Sequence, residues 1–216
     1  MIRGTGIDST VLRYVKGNGA NASTKFYDDS QNHQTLTTNG TASVSTTSSK
    51  FGTGSMYFTT ATGWISIGDI DISSGKWSIS GFVYMTQAVT YDNFNLIRGG
   101  TVNSEVDTNR WIIDINGTTG IRILSNNNTY NVGTNTTVSL NTWHYFAVTN
   151  DTTNIKIYID GALELTETAF SLLHLTDNSI GKCLATNPTA NYRIDDMVIQ
   201  KGVAIDGTKV PTRQRG

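Results

Sequence analysis

Glu105, Glu164 and Glu167 are the only glutamates in this 216-residue chain, and they are the first groups to test for chemistry. Glycosidic hydrolysis needs two carboxyl groups, about 5–5.5 Å apart in retaining enzymes and about 6.5–9.5 Å apart in inverting ones. Glu164 and Glu167 are separated by an odd number of residues, so a regular strand sends them to opposite faces. Aspartates brought together by folding remain open as an acid pair, but no spacing advertises one. His33, His144 and His174 lie far apart and have no metal-ligand neighbour at helical or turn spacing. A Ser/His/Asp set can always be drawn in so serine-rich a chain, yet no Gly-x-Ser-x-Gly elbow occurs. His144 follows Trp143 inside an apolar run and reads as structural. Cys183 is the single cysteine, which excludes an internal disulfide and reads as a small hydrophobe rather than a reactive thiol. Sugar binding needs an aromatic platform beside amides or carboxylates. Two segments have that composition, Tyr91-Asp92-Asn93-Phe94 and Asn126-Asn127-Asn128-Thr129-Tyr130, which makes Tyr91, Asn93, Asn127 and Tyr130 the candidate contacts. The plainer reading of both is a polar turn whose tyrosine packs back onto a sheet.

The elements that would carry these groups are strands. Ile155, Ile157 and Ile159 alternate with Lys156, Tyr158 and Asp160, the period of two that lines one face with isoleucine. Asp160-Gly161 then predicts a two-residue hairpin turn, because both central positions of that turn need positive φ. Similar short apolar runs recur at residues 10–15, 42–46, 55–59, 64–67, 77–85, 94–97, 111–115, 121–124, 143–149, 162–165 and 192–200, separated by Gly, Asn, Ser and Thr. Many short strands with frequent turn signals predict an all-β sandwich or barrel. Residues 169–175 allow one helical turn at most, and residues 131–137 read as loop or edge strand. Within residues 77–84, Trp77, Ile79, Gly81 and Val83 share one face and Ser78, Ser80, Phe82 and Tyr84 the other. Phe82 and Tyr84 either line a concave groove or lie under loops. Charged residues are only 15% of the chain and the formal net charge is -1, which gives no electrostatic case for nucleic acid or an anionic membrane. No run approaches membrane-spanning length, and no signal peptide is evident at the start, so manufacture in a cytoplasm without Sec-type export is expected.

Several separated pieces resemble the laminin-G-like domains common in phage structural proteins. They are Val11-Leu12-Arg13-Tyr14, Phe26-Tyr27-Asp28-Asp29-Ser30, and the run Ser49-Lys50-Phe51-Gly52-Thr53-Gly54-Ser55 with Met56-Tyr57-Phe58 after it. At the far end stand Arg193-Ile194-Asp195-Asp196-Met197-Val198-Ile199 and Lys201-Gly202-Val203-Ala204. The resemblance implies an antiparallel two-sheet jelly-roll sandwich, concanavalin A-like, over residues 11–212. A short N-terminal arm over residues 1–10 and a tail over 213–216 would flank it. In calcium-bearing relatives one aspartate after the first strand and one from the closing strand hold the ion, which carries over to Asp28 or Asp29 and Asp195 or Asp196. Calcium wants six to eight oxygens, so carbonyls and water would have to complete the site. Lys16 stands where many phage relatives have an acid, which sets an ammonium against that cation. The Glu-x-Asp-x-x-Glu strand of laminarinase-type relatives is missing.

The function expected from this resemblance is a non-enzymatic virion structural or adhesion protein, a capsid decoration or a tail or head appendage of a phage. It would be made in the host cytoplasm and would need no cofactor unless calcium binds. Its partners would be other virion proteins, further copies of itself, or host glycans, with no nucleic acid and no membrane. A lectin for a host surface glycan and a glycoside hydrolase with unrecognised acids are the alternatives.

Overall fold

A computed structural model describes residues 8–59, 62–88, 94–100, 109–117, 120–125, 129–182 and 191–214. The strands are β1 (Val11–Val15), β2 (Thr37–Asn39), β3 (Ser43–Ser45), β4 (Ser55–Phe58) and β5 (Trp64–Ser66). They continue with β6 (Trp77–Met85), β7 (Phe94–Gly99), β8 (Trp111–Asn116), β9 (Gly120–Ser125) and β10 (Tyr130–Gly133). The last are β11 (Trp143–Asn150), β12 (Asn154–Ile159), β13 (Ala162–Thr168), β14 (Asn178–Ile180) and β15 (Tyr192–Lys201). Every pairing between them is antiparallel. One sheet runs β13-β12-β11-β6-β15-β4-β3, with β1 also on β15; the other runs β10-β9-β8-β7-β14-β5-β2. The all-β, two-sheet sandwich expected from the sequence is what forms. Residues 169–175 carry no helix, and among the described residues no helix is long and apolar enough to cross a membrane.

The core lies between the sheets. Trp77, Ile79 and Val83 of β6, Phe146 and Val148 of β11, and Ile155, Ile157 and Ile159 of β12 face Trp111, Ile113, Ile121 and Ile123 of the other sheet. Asp160 and Gly161 have φ of 51° and 84°, the doubly left-handed turn that their dipeptide predicts. Phe82 is buried on the opposite face, among Tyr145, Ala147, Tyr158, Phe51, Ile205 and Val210. Loops therefore cover that face, and Phe82 lines no open groove.

β15 organises its sheet. One edge pairs with β6 along its length; the other is shared, with β4 beside Tyr192–Ile194 and β1 beside Met197–Gln200. Its register slips between Asp195 and Val198, where Asp196 takes a φ of 53°. That bulge lets Ile194 and Met197, three apart, both reach the core. Residues 8–10, expected as part of an arm, run on beside β15: the Lys201 amide donates to the Thr10 carbonyl at 2.9 Å. At the other end Gln214 accepts a hydrogen bond from Asn18 at 3.1 Å. Residues 1–7, 215 and 216 lie outside the described residues.

Candidate functional site

Asp28 follows β1 and is buried because its carboxylate fastens a loop. Oδ1 accepts the Tyr14 and Ser30 amides and Oδ2 the Gln34 amide, each at 3.0 Å. Asp29 is half-exposed, with Lys16 Nζ at 3.5 Å. On β15, Asp195 Oδ2 accepts the Lys50 and Phe51 amides at 2.9 and 3.0 Å, and Oδ1 takes the Asp196 amide at 2.9 Å. Tyr14 donates its hydroxyl to Asp196. Burial, opposed by those amides and reinforced by the neighbouring Asp196 charge, pushes the Asp195 carboxyl up to about 6. The sequence thus places all four aspartates on or beside the β1–β15 seam, but both oxygens of Asp28 and of Asp195 and Oδ1 of Asp196 already receive N–H or O–H donors. Amide donors cannot ligate a cation, and Lys16 opposes one at Asp29. This donor set does not fit calcium. Among the described residues no three His, Cys, Asp or Glu converge as a metal site.

The Ser49–Ser55 run now has a mechanical meaning: it supplies the two amides that Asp195 holds and lays Phe51 edge-on to Phe82, with ring centroids 5.2 Å apart. Gly52 is left-handed with φ 64°, and a Cβ there would meet the Asn18 side chain at 2.1 Å. Lys50 Nζ sits 5.0 Å from the Phe82 ring centroid.

A relay that sequence reading passed over lies at the start of β11. His144 Nδ1 donates to Asp160 Oδ2 at 2.6 Å, and the Ser139 hydroxyl is hydrogen-bonded to His144 Nε2 at 2.7 Å. That is the hydrogen-bond order of a serine hydrolase. Here Asp160 is 51% exposed and its other oxygen takes the Tyr145 amide at 2.8 Å. Ser139 also lines neither of the clefts that follow. The relay fastens the β12–β13 turn onto β11. β13 is not regular either: Ile157 pairs with Leu165 and Tyr158 with Leu163, which leaves Glu164 as an extra residue. Regular alternation therefore does not decide which faces Glu164 and Glu167 take; Glu164 receives the Thr136 hydroxyl and Glu167 is exposed.

The described residues also form surface clefts, and two of them bear on β1 and the loop after it. One, of about 560 Å³, lies over β1 and β15, with walls that include Val11, Tyr14, Tyr145, Val198 and Ile205 and polar groups from Asp206 and Lys209. The other, of about 520 Å³, is formed by the loop that Asp28 fastens, between Thr24 and Thr38. Of the sugar contacts read from sequence, Tyr91, Asn93 and Asn127 lie outside the described residues, as do Glu105 and Cys183. Tyr130 is 40% exposed and stacks on Phe170, with centroids 4.3 Å apart and planes 4° from parallel. Equally without a sequence signal is the pair of buried Asp114 and partly buried Arg122, directly opposite on β8 and β9 and bonded through both carboxylate oxygens at 3.1 and 2.7 Å.

The family model of the concanavalin A-like lectin/glucanases superfamily matches residues 58–204, and the chain belongs to that superfamily. No curated protein matches it by sequence. Among solved structures it is similar to domain 4 of AbnA, a GH43 extracellular arabinanase from Geobacillus stearothermophilus, in complex with arabinotriose. That pair is 19% identical with a TM-score of 0.69, covering 92% of this chain and 97% of the other. It is also similar to the receptor binding domain of botulinum neurotoxin type G, at 17% identity and a TM-score of 0.67, covering 93% of this chain. A third likeness is to the binding domain of botulinum neurotoxin DC in complex with SialylT, at 15% identity and a TM-score of 0.67. The chain spans about half the length of these toxin domains, 49% in both cases. Identities this low show a shared fold.

Proposed function

We propose that this member of the concanavalin A-like superfamily is a non-enzymatic recognition module. In our reading it is a virion structural or adhesion subunit, a phage capsid decoration or a tail or head appendage, that holds a host surface glycan. The observation that carries the non-enzymatic part is how the described acids are employed. Asp28 and Asp195 are taken up by backbone amides, Asp114 by Arg122, and Asp160 by His144 and the Tyr145 amide. Such groups hold loops and strands in place, and a catalytic pair needs one acid free to give a proton and another free to attack or to activate water. Glycan recognition is supported by the arabinanase domain captured with arabinotriose and by the receptor-binding role named for the toxin domains. The virion part is supported by the Ser49–Phe58 and Lys201–Ala204 segments, which resemble phage laminin-G-like proteins.

Mass spectrometry of purified particles tests the virion role, with recovery of the chain at a fixed copy number as the expected result. Glycan binding by a chain that is missing from particles would make it a free lectin. Incubation with polysaccharides is expected to release no reducing ends, and measurable turnover would overturn the non-enzymatic reading.

A further inference from the structure

We infer that the cleft formed by residues 24–38 is a binding site for a neutral saccharide; this rests on the glycan-recognition reading above and names the place and chemistry of the contact. Its volume of about 520 Å³ falls in the range of small-ligand sites, about 300–1,000 Å³. Its lining includes Lys25, Tyr27, Asp29, His33, Gln34 and Thr35.

Tyr27 is the key group. It is 64% exposed although Phe26 and Asp28 on either side are buried. Both neighbours are anchored inward, so the ring between them is held out in water where it lines the cleft. An exposed ring on a fixed backbone offers a flat apolar surface, which suits the C–H face of a pyranose or furanose.

The walls are prepared for hydroxyls. The Asp28 carboxylate fixes the amides of Tyr14, Ser30 and Gln34, so the loop is ordered before any ligand arrives. Asn32 adds a tie through its side-chain amide to the Leu12 carbonyl at 3.0 Å. His33 has a φ of 44°, and its Nδ1 donates to the Asp28 carbonyl at 3.3 Å. A carbonyl only accepts, which fixes a proton on Nδ1 and leaves Nε2 to accept whenever the ring is neutral. Asp29 adds a half-exposed carboxylate, and Lys25, Gln34 and Thr35 add donors. Sugar hydroxyls both donate and accept and match this mixture. With Asp29 facing Lys16, and Lys25 the one lysine in the lining, the cleft carries no cluster of cations to attract an acidic sugar.

The test is a glycan array carrying neutral and sialylated oligosaccharides, followed by titration of the strongest neutral ligand, with arabinotriose as a defined probe. Neutral glycans are expected to bind. Tyr27→Ala should weaken them by about tenfold or more, the scale of losing an aromatic anchor, with an unchanged melting temperature because the ring is exposed. Tyr27→Phe should retain most of the affinity. Binding that survives Tyr27→Ala overturns this site and leaves glycan recognition standing. Binding confined to sialylated glycans overturns the neutral class. A wild-type chain that binds no glycan overturns both this inference and the reading beneath it.

Discussion

Asp195 shows how one residue that looks like a ligand can be a fastener with a measurable titration. Its carboxyl, ordinarily near 3.8, is pushed up to about 6 mainly by burial. The folded chain therefore binds that proton more tightly than the unfolded chain does. Stability from this group is greatest when it is protonated and falls as pH rises between about 4 and about 6, by roughly 3 kcal/mol at about 1.4 kcal/mol per unit. Urea unfolding at pH 4.5 and 7.5 should show this slope in the parent and lose it in Asp195→Asn. Millimolar calcium should leave the melting temperature unchanged, because the oxygens of Asp28 and Asp195 are already held by backbone amides; a rise abolished by Asp195→Asn would reinstate the cation. A fluorophosphonate probe is expected not to label Ser139, and intact-mass analysis checks this. The four aspartates were legible as a group because the resemblance brings the first and last strands together. What their oxygens accept was not legible, since backbone amides have no signature in sequence. Tyr27 was equally hidden: it stood in a segment noticed for its aspartates, and its exposure is set by the burial of its neighbours.

Strands were the most readable elements wherever one face is core. The 155–159 alternation placed all three isoleucines correctly. Ile157→Ala should cost about 2–5 kcal/mol in denaturant unfolding through lost transfer energy and the cavity left behind. Gly161→Ala should cost about 1–3 kcal/mol, because φ is 84° and the new Cβ would lie 3.0 Å from the Thr208 carbonyl oxygen. A cost below about 0.5 kcal/mol for either would mean that the hairpin packs differently. Two strands escaped reading as strands and a third was left open. β2 (Thr37–Asn39) is polar throughout, in β14 (Asn178–Ile180) only Ile180 is apolar, and β10 (Tyr130–Gly133), an edge, overlaps the residues 131–137 that read as loop or edge strand. Their strand character comes from the ladders they complete, a tertiary effect that a period-two pattern does not carry. The extra residue in β13 was invisible for the same reason: register is a property of two strands, and one segment read alone cannot show it.

At the scale of the whole molecule, β15 decides whether the larger sheet exists. It is the neighbour of β6, β4 and β1 at once, so a chain ending at residue 190 leaves three strands with bare edges. That truncation is expected to abolish cooperative thermal unfolding by circular dichroism. A permuted chain that begins at residue 191 and joins residue 214 to residue 8 through a flexible linker should recover it. Cooperative melting of the truncated chain would show that the sheet closes without β15. The placement also has a consequence in time. A ribosome delivers β1, β4 and β6 long before the strand that lies between them, so the growing chain waits with its central slot empty and its longest-range contacts unmade. This domain can finish folding only after the ribosome has passed residue 201. A message cut short or a stalled translation therefore yields material for proteolysis and no smaller working protein, and the finished fold is itself proof that the chain was read through its closing strand.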